Sequence, residues 1–323
     1  MVLRLLVGLL FLTPTSAFAL DYNAGDFQFA GGFSPSNAPH GGFGGGNCVA
    51  TRTPVIYLHG NADVAANWDF PSSTGVASAY DTFKAAGYND CELFGLNYLS
   101  PTERTLPQFN YHTPGLADTI RDFILDVRAY TGSSQVDIIG HSLGVTVGLH
   151  GIDYGNLWSS IRRFISIAGA MRGLESCRFT GYANPAAPTC GSQNFFNSNI
   201  FGLHPSVWYA SNPRMANGGF RDRPAGQSAR FYTISAGSRD QFLCPLGVAS
   251  SCSNTARFDS WSSVRAQLNV GYGSLPTPTN AGGDTDGVGH FRAKNNTGEI
   301  QVDMLTTSCT GTSCCSSYTD VCQ

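Results

Sequence analysis

The stretch 135–149, QVDIIGHSLGVTVGL, constrains this chain more than any other. Val136 to Ile139 is an apolar, β-branched run that reads as a short buried strand. The chain then turns through Gly140-His141-Ser142-Leu143-Gly144, and the apolar spacing of Val145, Leu149 and Ile152 suits a helix. A G-x-S-x-G box between a strand and a helix is a nucleophile elbow. The turn strains the serine backbone, so its neighbours need to be glycine. The hydroxyl stands exposed above a helix N-terminus whose partial positive charge favours an anion. The bland alternative is an ordinary strand-to-helix turn, and the weight against it comes from possible partners of the serine.

A serine hydroxyl is a poor nucleophile until a histidine takes its proton, and that histidine needs a carboxylate to hold its tautomer. On a scaffold of this type the chain order is serine, acid, histidine. Only His150, His204 and His290 follow Ser142. His150 lies two turns along the serine's own helix, and His204 has no strand before it. His290 ends the glycine-containing loop Asp284-Thr-Asp-Gly-Val-Gly-His290, after an apolar strand at 264–270, which is where a catalytic histidine belongs. Asp240 follows the strand 231–235 in a strand-end turn and is the preferred acid. Asp222 and Asp259 follow no strand, and Asp284 and Asp286 read as turn formers. The oxyanion of an acyl transfer needs main-chain N–H donors, one from the residue after the serine and one from an early strand-end loop. These are Leu143 and, in His59-Gly60-Asn61, Asn61.

Apolar strands at 54–58, 91–98, 163–168, 231–235 and 264–270 join the serine strand. Helices at 77–86, 115–130 and about 297–307 join the serine helix. Strands alternating with helices mean right-handed crossovers and a mainly parallel sheet with helices on both faces. Residues 20–53 are glycine-rich and read as loop. No repeat or linker divides the chain, so 20–323 is expected to form a single domain. Residues 171–229 break the rhythm with two cysteines, several prolines and many aromatics. They read as an excursion over the catalytic face.

Residues 1–19 have the form of a signal peptide, with Arg4, an apolar centre from Leu5 to Leu12, and Ala17-Phe18-Ala19 as the cleavage site. The mature chain is therefore expected to be secreted, extracellular and soluble, with no membrane partner. Charged residues make up 13% of the chain and the net charge is −3, which argues against a nucleic-acid partner. All ten cysteines lie in the mature part and read as disulfides. Proximity in sequence favours Cys177–Cys190, Cys244–Cys252, Cys309–Cys314 and Cys315–Cys322, leaving Cys48–Cys91, with the connectivity left open. No C-x-x-C or H-x-x-x-H ligand spacing appears, so neither metal nor cofactor is expected. A monomer is expected.

Several stretches carry a likeness to a known family: AGGF at 30–33, GGFGGGNC at 41–48, TPVIYLHGNAD at 53–63, GYNDCELFGLNYLS at 87–100, YTGSSQVDIIGHSLGV at 130–145, CRFTGYANPAAPTCGSQNFFNS at 177–198, FYTISAGSRDQ at 231–241 and GVGHFRAKNNTG at 287–298. In these the chain resembles the extracellular poly(3-hydroxybutyrate) depolymerases that attack native granules and lack a separate substrate-binding domain. The resemblance implies an α/β-hydrolase fold, no metal, and Ser142, Asp240 and His290 as triad with Asn61 in the oxyanion hole. The chain departs from the family in its box, which reads Gly-His-Ser-Leu-Gly in place of Ala-His-Ser-Met-Gly. It also has Phe195-Phe196 in place of tyrosines, and a shorter segment at 274–280. The expected function is a secreted serine esterase for poly(3-hydroxybutyrate) or a related short-chain aliphatic polyester. A lipase or carboxylesterase for small or lipid esters is the alternative, and a non-catalytic polymer-binding protein a third reading. With no binding domain, substrate contact falls to aromatics: Phe109 and Tyr111 after the 91–98 strand, and Phe195, Phe196, Phe201, Trp208 and Tyr209 in the excursion.

Overall fold

The structure, a computed structural model, describes residues 20–70, 77–179, 185–191, 197–205, 219–243, 255–271 and 289–315. Residues 1–19, with the expected cleavage site, lie outside these, as do Phe195, Phe196, Trp208, Tyr209, Asp284, Asp286, Cys244, Cys252 and Cys322.

Eight strands form one sheet: β1 (Phe27–Phe29), β2 (Gly42–Gly44), β3 (Val55–Leu58), β4 (Leu93–Leu96), β5 (Val136–His141), β6 (Ile161–Ile167), β7 (Arg230–Ser235) and β8 (Val264–Asn269). Their order across the sheet is β1-β2-β4-β3-β5-β6-β7-β8, and only β2 and β4 pair antiparallel. The central strands β3, β4 and β5 are buried at every position, as apolar strands covered on both faces must be. This mainly parallel sheet, with its strand-turn-helix elbow after β5, is an α/β-hydrolase fold.

The described helices are α1 (Ala79–Ala85), α2 (Pro101–Thr105), α3 (Pro114–Thr131), α4 (Leu143–Tyr154), α5 (Arg292–Asn295) and α6 (Gly298–Thr306). Successive side chains of a strand point to opposite faces, and β3 shows which helices cover which. Tyr57 meets Phe83 of α1 at 5.7 Å between ring centroids. Leu58 faces α4, where a Cβ on Gly148 would lie 2.7 Å from its Cδ1. Helix α3 starts with the Thr113 side chain accepting from the Leu116 N–H and with Pro114 in its first turn, and buries Ile120, Phe123, Ile124 and Val127. It lies so close to α4 that a Cβ on Gly151 would stand 2.6 Å from Ile120. The last carbonyls of α6 are met by β6, where Arg163 donates to Met304 and Thr307 and Arg162 to Leu305.

The glycine-rich segment 20–53 contains strands β1 and β2, where the sequence reads as loop. Glycines are poor strand formers, and here the reason for them is close approach. A Cβ on Gly42 would sit 2.1 Å from the Gly95 carbonyl oxygen, and one on Gly44 2.3 Å from the Phe94 ring. In return Gly95 leaves room for Phe43, whose ring would be 2.1 Å from a Cβ there.

Three expected disulfides are present: Cys48–Cys91, Cys177–Cys190 and Cys309–Cys314. Cys315 is also disulfide-bonded. Cys48–Cys91 spans 43 residues and ties the glycine-rich segment to the entry of β4, whereas Cys309–Cys314 spans only 5. Restricting the unfolded chain favours the longer loop, so replacing Cys48 and Cys91 together with alanine is expected to cost about 2–4 kcal/mol. Replacing Cys309 and Cys314 should cost distinctly less. Thermal melts of the two variants check this, and equal shifts would mean that loop length does not govern the effect.

Candidate active site

Ser142 adopts φ 54° and ψ −122°, outside the regions open to ordinary residues. Holding a non-glycine residue there costs of order 1–3 kcal/mol. The surroundings impose it. The Ser142 N–H donates to the Ile167 carbonyl at the end of β6, at 2.9 Å. A Cβ on Gly140 would lie 2.9 Å from Val145 Cα, and one on Gly144 would lie 2.4 Å from the His59 carbonyl oxygen. Both glycines of the box are therefore demanded by packing of β5, α4 and the end of β3.

Asp240 follows β7 and a turn at Gly237–Arg239. One of its oxygens accepts from the main-chain N–H groups of Phe242 at 3.0 Å and Leu243 at 2.8 Å. Both oxygens lie 2.9 Å from Nδ1 of His290. A carboxylate on both sides of Nδ1 fixes the proton there and leaves Nε2 as an acceptor. Asp240 and His290 are 1% and 3% exposed, so water competes little for this contact. The other described acids are engaged elsewhere. Asp259 pairs with Arg172 at 3.0 Å, and Asp222 is exposed beside Arg223. His150 and His204 are buried.

Ser142, Leu143, Asn61 and His290 share the wall of one cavity of about 740 Å³. Apolar groups dominate the rest of the wall, including Phe70, Leu174, Leu203, Phe242 and Phe291. Neither the Leu143 nor the Asn61 main-chain N–H donates to another group of the described residues. The Asn61 side chain is held fast instead: Nδ2 donates to the Pro107 carbonyl at 2.9 Å, and Oδ1 accepts from Asn110 at 2.6 Å.

The structure redistributes the expected aromatic contacts. Phe109 is 43% exposed, but Pro107 and Gln108, not Phe109 or Tyr111, line the cavity. Phe201 is fully buried, stacked on His112 at 4.2 Å, because its backbone pairs with His112 and draws the ring under α4. Phe242 takes a place that sequence reasoning did not give it. It is 39% exposed, lines the cavity and stands 4.8 Å from the His290 ring. Its position two residues after Asp240 was the available signal.

Four further residues hold the site and were not singled out in the sequence. His141, inside the box, binds the His290 carbonyl through Nε2 at 3.0 Å. Burial holds His141 far below the usual histidine range, so His141 is neutral and donates to that carbonyl. Gln241 accepts from the His290 N–H at 3.1 Å. Asp63 and Lys294 form a buried ion pair at 3.2 Å. Burial works to raise the Asp63 carboxyl, but the Lys294 ammonium outweighs it and holds Asp63 at about 2.

Residues 52–202 match the family model of the class 2 lipases. That span includes Asn61, Ser142 and Leu143 and ends before Asp240 and His290. No curated protein matches the chain. Among solved structures, lipase B of Aspergillus fumigatus is 16% identical, with a TM-score of 0.49 over 80% of this chain and 54% of that one, so the chain spans about half the length of that lipase. The mature lipase BlEst2 of Bacillus licheniformis is 13% identical over 60% of this chain and 69% of that one, with a TM-score of 0.38. Carboxylesterase CesB of Bacillus subtilis is 12% identical over 80% and 85%, with a TM-score of 0.39. From β3 through the serine elbow and into the segment after β6, this chain is similar to the class 2 lipases.

Proposed function

We propose that the chain is a carboxylic ester hydrolase of the lipase and esterase kind that works through an acyl-enzyme on Ser142. The observation that carries this reading is a strained serine at the head of α4, on the same cavity wall as a histidine oriented by a buried aspartate. In the proposed reaction, His290 Nε2 takes the hydroxyl proton as Ser142 Oγ attacks the ester carbonyl. The oxyanion is met by the Leu143 and Asn61 N–H groups, neither of which has an acceptor among the described residues. His290 returns the proton to the leaving alcohol. A water activated by the same histidine then releases the acid, while Asp240 stabilises the imidazolium in both halves.

The substrate we favour is poly(3-hydroxybutyrate) or a related short-chain aliphatic polyester, acted on by a secreted chain after loss of residues 1–19. The motif stretches at 41–48, 87–100 and 287–298 support it. Disulfides such as Cys48–Cys91 are compatible with an extracellular protein. Among the described residues no helix is long and apolar enough to cross a membrane. A second reading, a lipase or carboxylesterase for small or lipid esters, draws on the class 2 lipase match over 52–202. Rates on amorphous poly(3-hydroxybutyrate) film, tributyrin and a short nitrophenyl ester separate the two. The polyester reading requires soluble hydroxybutyrate monomers or oligomers from the film, and fails if only the small esters are cleaved.

The grip on a polymer surface is assigned to aromatics of the catalytic face, with Phe195 and Phe196 foremost and Phe109, Tyr111 and Trp208 as further candidates. Replacing Phe195 and Phe196 with serine is expected to lower hydrolysis of polymer film much more than hydrolysis of the nitrophenyl ester, because a single ester unit needs no outer contact. Equal losses on both substrates would place the pair in the core or the acyl pocket.

A further inference from the structure

The Lys294 side chain is 2% exposed, which for a lysine demands a reason. Its Nζ reaches Asp63 Oδ2 at 3.2 Å and the Asn67 carbonyl at 3.1 Å, and stands 5.2 Å from the centroid of the Trp68 ring. Replacing such a buried pair by apolar groups is often neutral for stability, so stability alone does not account for it. Its location does. Asp63 belongs to the loop that follows β3 and carries Asn61. Lys294 belongs to α5, four residues after His290. Asp63 and Lys294 both line the cavity that holds Ser142.

The loop between these anchors is under strain. Ala62 sits at φ 60°, a left-handed conformation that a residue with a Cβ adopts only when its neighbours compel it. On one side, Asn61 is clamped by Pro107 and Asn110. On the other, Asp63 accepts from the Val64 N–H at 2.9 Å and from the Asn67 side chain, and receives Lys294. Of these holds, only Lys294 belongs to the histidine segment.

We propose that Asp63 and Lys294 are positioning residues, an ion pair that keeps the Asn61 main-chain N–H in register with His290 across the cavity. The proposal rests on the reading of Ser142 as the nucleophile. Neither residue touches the substrate's reacting atoms. Without the pair, Ala62 relaxes toward an ordinary conformation and the Asn61 N–H leaves the place where the oxyanion forms. A donor displaced in this way costs turnover and leaves ground-state binding almost unchanged.

The test uses the mature full-length chain with Lys294→Met, Asp63→Asn, the double variant and Lys294→Arg. It reads kcat and KM on a soluble nitrophenyl ester well below the melting temperature, and the rate of Ser142 modification by an organophosphate. Each single variant and the double variant are expected to lose about 10- to 100-fold in kcat, with KM within about twofold of wild type. Organophosphate modification should slow in parallel, and Lys294→Arg should recover most of the loss. The double variant leaves no unpaired charge, so it is expected to melt close to wild type and still turn over slowly. A double variant with wild-type kcat overturns the proposal, as does a loss of kcat that follows melting temperature across the set. A wild-type protein that is neither modified at Ser142 nor active overturns the underlying reading itself.

Discussion

Ser142→Ala is expected to lower ester hydrolysis by about six decades while leaving the fold unchanged. In the proposed reaction the hydroxyl carries the covalent step, and it shares the cavity wall with His290. The variant should fold because the strained turn is enforced from outside the side chain: the Ser142 N–H is bound to Ile167, and Gly140 and Gly144 are packed against Val145 and His59. An alanine at φ 54° meets the same backbone strain as the serine. Hydrolysis above the uncatalysed rate would remain, from the Leu143 and Asn61 donors acting on a substrate attacked by water. Steady-state rates on a nitrophenyl ester, with a thermal melt as control for folding, read both parts. Activity within tenfold of wild type would remove Ser142 from the mechanism.

Asp240→Asn is expected to cost about four decades in kcat. The asparagine oxygen can still accept from the Phe242 and Leu243 N–H groups, which hold the present carboxylate in place. Its amide nitrogen then replaces the other oxygen, which now lies 2.9 Å from Nδ1 of His290, so that a donor faces a donor there. The imidazole responds by moving its proton to Nε2, the atom that has to receive the proton from Ser142. The imidazolium of the transition state also loses its counter-charge, at a site only 1% exposed. Asp222→Asn and Asp259→Asn serve as comparisons, since those carboxylates lie beside arginines instead. A larger loss from either comparison variant than from Asp240→Asn would reassign the acid.

Legibility in the sequence followed the length scale of the interaction. The serine elbow was plain because a strand, a tight turn and a helix are consecutive and each has a local signature. Strands β3, β5, β6 and β7 were plain for a related reason. Buried parallel strands read as continuous apolar runs, and their ends fell within a residue or two of the runs. The pairing of Asp240 with His290 was reachable from chain order and strand ends alone, although 50 residues separate them. Strand β2 was missed because its glycines are set by clearance from β4, a neighbour distant in sequence that no local propensity records, and the three-residue β1 pairs in turn with β2. The same limit applied to Phe201, which looks like a surface aromatic until its backbone bridge to His112 is seen. It applied again to Lys294, whose partner Asp63 lies 231 residues away. Groups that hold a site in place are visible only once the fold has brought them together.

The central claim, that Ser142 is the nucleophile of an ester hydrolase, is tested most directly by mass spectrometry of the mature protein after treatment with an organophosphate. The account predicts one adduct, on the peptide that contains Ser142. The adduct should be suppressed by excess short-chain ester, absent from Ser142→Ala, and accompanied by full loss of ester hydrolysis. An unmodified Ser142 in a protein that still cleaves esters, or inactivation that follows modification at another residue, would contradict it.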